Sequence, residues 1–427
     1  MPQKPTTYVE LGYSDDFGLT GLTERLCSSG HLTVDFSAAL AIAADAADGS
    51  EGEEAVELGE DARRLLGGSM PEEALRAVWL AASGGAFDPA EHGMGVRSWL
   101  RELSDLSTAR LRQNKRSYVP PPVRPVRDED LCREVVVEIR GPAGAHFSPD
   151  LADGLEQVVV LADADVGFRL FLRVLKTQAV RVPKEQYDRL LRLSDRFGYP
   201  AAVVRDGLDV AWPPIDTRRR DTAWDFGLSG LAGNAHQDWS PDGARREIRW
   251  VADGDQPEQA PGTAAALLLE DALRLLRSPL SDGTLTTLWV AVSDAALRVD
   301  GRDWLLLVVE VCEERLRRVA PTYVPTVSAA RSEVTDRVVR EIRETALGVA
   351  DKAVSPYWQP VPAVAAMAAL EQVAVQVDPD LGFRLFLRTL QPVSAWITAE
   401  QYERYRAIGE QFGYGKYHVE EVEHLVR

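Results

Sequence analysis

Little in this chain of 427 residues speaks for a particular chemistry, and the shortages themselves narrow the field. Cysteine is scarce. Cys27, Cys132 and Cys312 are odd in number and widely spaced, which excludes a disulfide framework and a cysteine-based zinc site. The histidines His31, His92, His146, His236, His418 and His424 are scattered. His418 and His424 share the segment HVEEVEH, but their spacing does not place them on one helix face. HExxH, GxSxG, GxxxxGKS/T and GxGxxG do not occur. No apolar run is long enough for a bilayer, since the best, near Trp304–Cys312, is short and carries Glu310. The opening MPQKPTTYVELGYSDDFG lacks the apolar centre of a secretory leader. These absences predict a cytoplasmic protein with no catalytic residues, no cofactor and no metal.

Positive charge is also in short supply. Lys+Arg number 48 against Asp+Glu 66, a formal net charge of −18. Such a surface repels phosphate backbones and anionic lipid, so nucleic acid and membrane are excluded as partners, and a basic protein is favoured. Composition is otherwise ordinary, 45% hydrophobic and 27% charged, which fits two or three globular domains.

What the chain does contain is an internal repeat. DFGLTGL from Asp16 recurs as DFGLSGL from Asp225, and EDARRLL from Glu60 as EDALRLL from Glu270. Trp79 and Trp99 recur as Trp289 and Trp304. DADVGFRLFLRVL from Asp163 recurs as DPDLGFRLFLRTL from Asp378, followed in both by EQY and FGY. The order is kept throughout at an offset of roughly 203–215 residues. The period is far longer than a solenoid unit, so we expect a tandem duplication of a module of about 205 residues. The simplest arrangement is a monomeric pseudo-dimer with an internal two-fold.

The expected boundaries are 1–211 for the first module and 212–427 for the second, joined near WPPIDTRRR. Proline-rich YVPPPVRPVRDED and its counterpart TYVPTVSAARSEVTD read as hinges, because proline breaks helices and favours extended chain. They split the first module into subdomains 1–118 and 131–211 about a hinge at 119–130. In the second, subdomains 221–323 and 336–427 flank a hinge at 324–335.

The expected fold is mainly α with minor β. Phe168, Phe171, Leu172 and Leu175 fall at helical spacing, as do Phe383, Phe386, Leu387 and Leu390. Asp165 and Asp380 stand where N-caps belong, and Gly198 and Gly413 where the following helices stop. Helices are also expected over Ala264–Leu276, Thr284–Leu297 and Trp304–Arg318. The candidate strands are His31–Phe36, Gln178–Val182 and Arg246–Val251.

Candidate binding residues are the repeated charges. Arg169 with Arg173, and Arg384 with Arg388, lie together on one helix face and suit a carboxylate or phosphate, although pairing with surplus acids is the plainer expectation. Glu60-Asp61 and Glu270-Asp271 are repeated carboxylate pairs. Adjacent helical residues point apart, so a solvated face is expected there, with Glu60–Arg64 and Glu270–Arg274 as ion pairs. DxDxG at Asp163 and Asp378 opens like a calcium loop but lacks its later ligands, and is expected to cap a helix. The repeated tryptophans belong to the core. Residues repeated in both copies are what the fold needs, and a binding site is to be sought where the copies differ.

The segments DPDLGFRLFLRTL, VSAWITAEQYERYRAIGEQFGY and VEEVEHLVR together resemble the Maf-type immunity proteins encoded beside polymorphic toxins. The first copy follows the same rhythm through Tyr199, so the resemblance spans roughly 50–60 residues of each copy. It implies a bacterial immunity protein that binds a basic toxin domain. The expected function is therefore non-enzymatic protein binding. The alternatives are an enzyme of secondary metabolism with a helical pocket between subdomains, favoured by a ligand-sized cavity lined by Trp, Arg and carboxylates in one copy, and a scaffold or assembly component.

Overall fold

The computed structural model describes residues 16–29, 34–48, 52–113, 128–218, 222, 224–233, 241–293, 300–326, 332–354, 360–415 and 417–427. Two units divide at Pro213 and Pro214. Helix makes up 71% and strand 3%. None of the described helices is long and apolar enough to cross a membrane.

The first unit runs through α1 (Gly18–Ser28), α2 (Phe36–Ala47), α3 (Glu53–Gly67), α4 (Glu72–Ala82) and α5 (Val96–Gln113). It continues with α6 (Glu129–Ile139), α7 (Pro149–Gln157), α8 (Ala164–Thr177), α9 (Lys184–Phe197) and α10 (Ala202–Arg205). β1 (Val182–Pro183) and β2 (Val210–Ala211) pair in parallel beside α9. The second unit holds α11 (Gly227–Gly233), α12 (Pro241–Asp253), α13 (Thr263–Leu276), α14 (Asp282–Val292) and α15 (Gly301–Val319). Then follow α16 (Thr335–Gly348), α17 (Ala363–Gln376), α18 (Pro379–Leu390), α19 (Ala399–Phe412) and α20 (Tyr417–Glu420), with β3 (Ala353–Val354) antiparallel to β4 (Val361–Pro362).

Each unit is wrapped around one central helix. α8 packs on α1, α4, α6 and α7, and α18 on α11, α14, α16 and α17. Phe168, Phe171, Leu172 and Leu175 are fully enclosed, as are Phe383, Phe386 and Leu390, so the helical stripe lies inside as its spacing requires. Trp79 meets Trp99 edge-on at 6.1 Å, and Trp289 meets Trp304 at 4.7 Å, all within the cores. Gly198 and Gly413 end α9 and α19 in left-handed backbone (φ 81° and 79°), where a side chain would be strained.

Several local expectations are corrected. Arg246–Val251 lies within α12, because Ala244, Ile248 and Ala252 are buried at a period of four, not two. Phe36 opens α2, capped by Asp35, while 31–33 lie outside the described residues. Of Gln178–Val182 only Val182 pairs as strand. The caps of α8 and α18 are Asp163 and Asp378, two residues ahead of Asp165 and Asp380. Asp163 accepts from the Val166 amide at 2.9 Å, which frees Asp165 to turn inward. Most of the first expected hinge (119–127) and part of the second (327–331) lie outside the described residues. The subdomains on either side of the first hinge share one core, in which Leu58, Trp99, Phe168 and Val203 all take part.

Candidate functional site

The central helices carry the repeated arginines, and these find the repeated acids of α3 and α13. Arg169 grips Asp61 with two amino groups, Nη1 to Oδ2 at 2.7 Å and Nη2 to Oδ1 at 2.5 Å. Its Nε donates to Asp165 Oδ1 at 2.9 Å, and Arg64 reaches the other oxygen of Asp165 at 2.8 Å. The Tyr199 hydroxyl also bonds Asp165. The Leu19 amide donates to Asp61 at 2.9 Å, tying α1 to α3. The second unit repeats the pattern. Arg384 Nη2 bonds both oxygens of Asp271 at 2.9 Å, and Nη1 donates to the Phe226 carbonyl and Ser229 Oγ at 3.0 Å. Tyr414 donates to Asp380 at 2.7 Å, and the Leu228 amide to Asp271 at 3.0 Å.

These pairs are sealed. Burial opposes the Arg384 charge, but Asp271 and Asp380 more than offset it and hold the guanidinium charged. Gly18 (φ 58°) and Gly227 (φ 62°) lie so close to Asp61 and Asp271 that a Cβ on either would overlap the carboxylate. The expected solvated face is thus wrong for Asp61, Glu270 and Asp271, which are buried, while Glu60 is partly covered. For Asp61 and Asp271 the physical reason is the arginine arriving from α8 or α18, which neutralises a carboxylate that water would otherwise have to solvate, and Glu270 is covered by its own partners. Glu60–Arg64 and Glu270–Arg274 do form, at 3.8 and 3.4 Å. Glu270 also accepts from Tyr323 Oη at 2.7 Å and the Thr326 amide at 2.8 Å. With their charges matched inside the protein, Arg169, Arg384, Asp61 and Asp271 serve the fold. Beside the first of these pairs, burial pushes the Glu57 carboxyl up to about 8, and Asp61 adds to the shift.

The other two arginines behave differently in the two units. Arg173 faces Asp16 at 3.4 Å and Glu24 at 4.0 Å, and Lys176 shares Asp16 at 2.9 Å. In the second unit Arg388 Nε donates to Asp225 at 2.8 Å and Nη2 to Glu421. The ninth residue of the repeated segment is Glu24 in one unit and Gly233 in the other. A Cβ on Gly233 would stand 2.6 Å from Arg388 Cζ, so the missing side chain opens the guanidinium to the space above it.

That space is a cavity of about 350 Å³. Its lining includes Trp224, Trp250, Asp225, Arg388, Glu421 and Gln256. Both indoles are more than half exposed, Trp224 at 55% and Trp250 at 63%, and Tyr417 stacks on Trp224 at 5.0 Å. Gln256 comes from the loop between α12 and α13, longer than its counterpart between α2 and α3. Asp255 fastens that loop by accepting from the Gly262 and Ala264 amides at 2.8 Å. Burial raises Asp225, but His418 and Arg388 outweigh it and hold the carboxyl below its ordinary range. Burial lifts Glu421 to about 7, against the pull of Arg388. Burial keeps His418 below its ordinary value, 3.7 Å from Asp225.

Of the sequence candidates, Arg388 alone lines this cavity. Trp224, Trp250 and Glu421 were missed. The available signal was their lack of a partner in the first copy. Trp250 stands two residues before buried Ala252, where the first unit has exposed Asp45 before buried Ala47. No family model, curated protein or solved structure matches the chain.

Proposed function

We propose that this is a ligand-binding protein, built by tandem duplication, in which the second unit receives a small organic ligand. The observation that carries this reading is the cavity beneath Trp224 and Trp250, with Arg388 uncovered where Gly233 replaces a glutamate. Its volume falls within the range of small-molecule sites, and it combines aromatic walls with a few polar groups. Sealed ion pairs occupy both central helices, which leaves the repeated charges to stability and the divergent positions to recognition. The test is native mass spectrometry of the purified chain after incubation with a metabolite extract of its host. A stoichiometric adduct lost in Trp250→Ala supports the reading, and an extract that yields none refutes it.

A second reading is favoured by the net charge of −18. In it the protein is a cytoplasmic immunity protein, and its acidic surface steers in a basic toxin domain. Pull-down from host lysate at low and moderate salt tests this. One stoichiometric basic protein released as salt rises supports it, and none at either salt overturns it.

A further inference from the structure

We propose that the cavity of the second unit recognises an organic cation, an ammonium or guanidinium group, held against the Trp224 and Trp250 rings with Glu421 as counter-charge. This rests on the ligand-binding reading above and names the ligand's chemistry.

Asp225 and Glu421 present two carboxyls, and Arg388 a single guanidinium. Arg388 is held by both, through Nε to Asp225 and Nη2 to Glu421, so two carboxyls share one guanidinium, and Glu421, with 27% of its side chain exposed against 6% for Asp225, is the one an incoming ligand reaches. Among the described residues, the neighbouring charges are Arg384 and His418. Arg384 is matched by Asp271, and burial disfavours the charged form of His418. Gln256, Gln259 and Thr222 add neutral polar groups but no charge. Glu421, lifted to about 7 by burial, is driven into its ionised form by a cation beside it, whereas an anion meets two carboxyls.

The walls make the same selection. An indole offers a negative π-face, the strongest of the aromatic side chains for a cation. Two indoles at one cavity, both more than half exposed, are an unusual expense of apolar surface in a soluble domain. Trp224 is steadied on one side by Tyr417, with rings 22° from parallel, so it is placed before any ligand arrives. The corresponding region of the first unit has Glu24 over Arg173 and Asp45 on α2, with neither indole. The −18 charge of the chain draws cations in from a distance.

The probes are choline and its uncharged isostere 3,3-dimethylbutan-1-ol, titrated into the full chain by calorimetry and tryptophan fluorescence. Choline is expected to bind and the alcohol at least tenfold more weakly. Trp250→Ala is expected to weaken choline by between about 2- and 30-fold. Trp250 is exposed, so this variant leaves the core intact. Glu421→Gln is expected to weaken choline about tenfold and the alcohol not at all. Trp396→Ala, an exposed tryptophan outside the cavity, is expected to change neither. Equal binding of both probes overturns the cation assignment while leaving a binding cavity in place. Choline binding that survives both Trp250→Ala and Glu421→Gln places the cation elsewhere and overturns the inference. Failure of both probes overturns it too, and the extract experiment then decides separately whether the cavity binds anything.

Discussion

Removing Asp271 by Asp271→Ala probes the interior ion pair of the second unit. Arg384 is almost wholly enclosed, and Asp271 takes two of its hydrogen bonds, both at 2.9 Å. The variant strands a guanidinium inside the core and leaves the Leu228 amide without its acceptor. Breaking a buried pair from one side costs about 3–5 kcal/mol, because the remaining charge stays desolvated. Arg384 keeps Phe226, Ser229 and Asp380, so we expect about 3 kcal/mol, toward the lower end of that range. In a unit of this size that lowers the melting temperature by roughly 6–12 °C. Scanning calorimetry with urea unfolding reads the change. The double variant Asp271→Leu/Arg384→Met removes both charges and fills the space with apolar groups, so it is expected to recover most of the loss. A loss below about 1 kcal/mol for the single variant, or a double variant no better than the single, refutes the account of the pair as a charge-matched lock.

Gly227→Ala is expected to cost at least about 2 kcal/mol, since it combines a positive φ with overlap on the Asp271 carboxylate, and urea midpoints will register it. Gly233→Glu restores the carboxylate of the first unit over Arg388. It is expected to abolish the mass adduct described above while leaving the melting temperature within a few degrees. Glu57 gives a pH signature. Its carboxyl is pushed up to about 8 in the folded protein from the ordinary 4.5, so below 4.5 both states hold the proton. As pH rises the unfolded chain ionises first, so this group lowers stability steadily up to about 8 and no further. Glu57→Gln should therefore stabilise the protein more at pH 8 than at pH 5, as measured by paired urea titrations. An equal gain at both pH values contradicts the raised pKa.

Much of the fold was legible because it obeys local rules. The 3–4 spacing of Phe168, Phe171, Leu172 and Leu175 names a buried helix wherever it sits, and Gly198 after Phe197 names its neighbour's end. Arg246–Val251 was misread because its alternation is short and the deciding residues, Ala244 and Ala252, lie outside it. The burial of Asp61 was not legible for a different reason. Its partner Arg169 is far along the chain, and nothing near Asp61 shows that a guanidinium will arrive. The repeat held the clue, because Asp61, Arg169 and Gly18 recur together as Asp271, Arg384 and Gly227. The cavity was least legible. It depends on a side chain that is absent, Gly233, and on tryptophans that only contrast between copies brings forward.

The glycine pressed against each interior carboxylate also limits how these units can change over generations. Gly18 cannot gain a side chain while Asp61 stands, and Asp61 cannot leave while Arg169 remains charged beside it. Three positions distant in the chain are thus locked into joint inheritance, and every single step away from the trio passes through a weakened fold. Gly233 is less constrained, since what it would crowd is the end of an arginine side chain, held by Asp225 and Glu421 and not by backbone. Mutation is therefore tolerated at the rim above Arg388 and punished at the centre, so new specificities arise at a place where the two units have already parted.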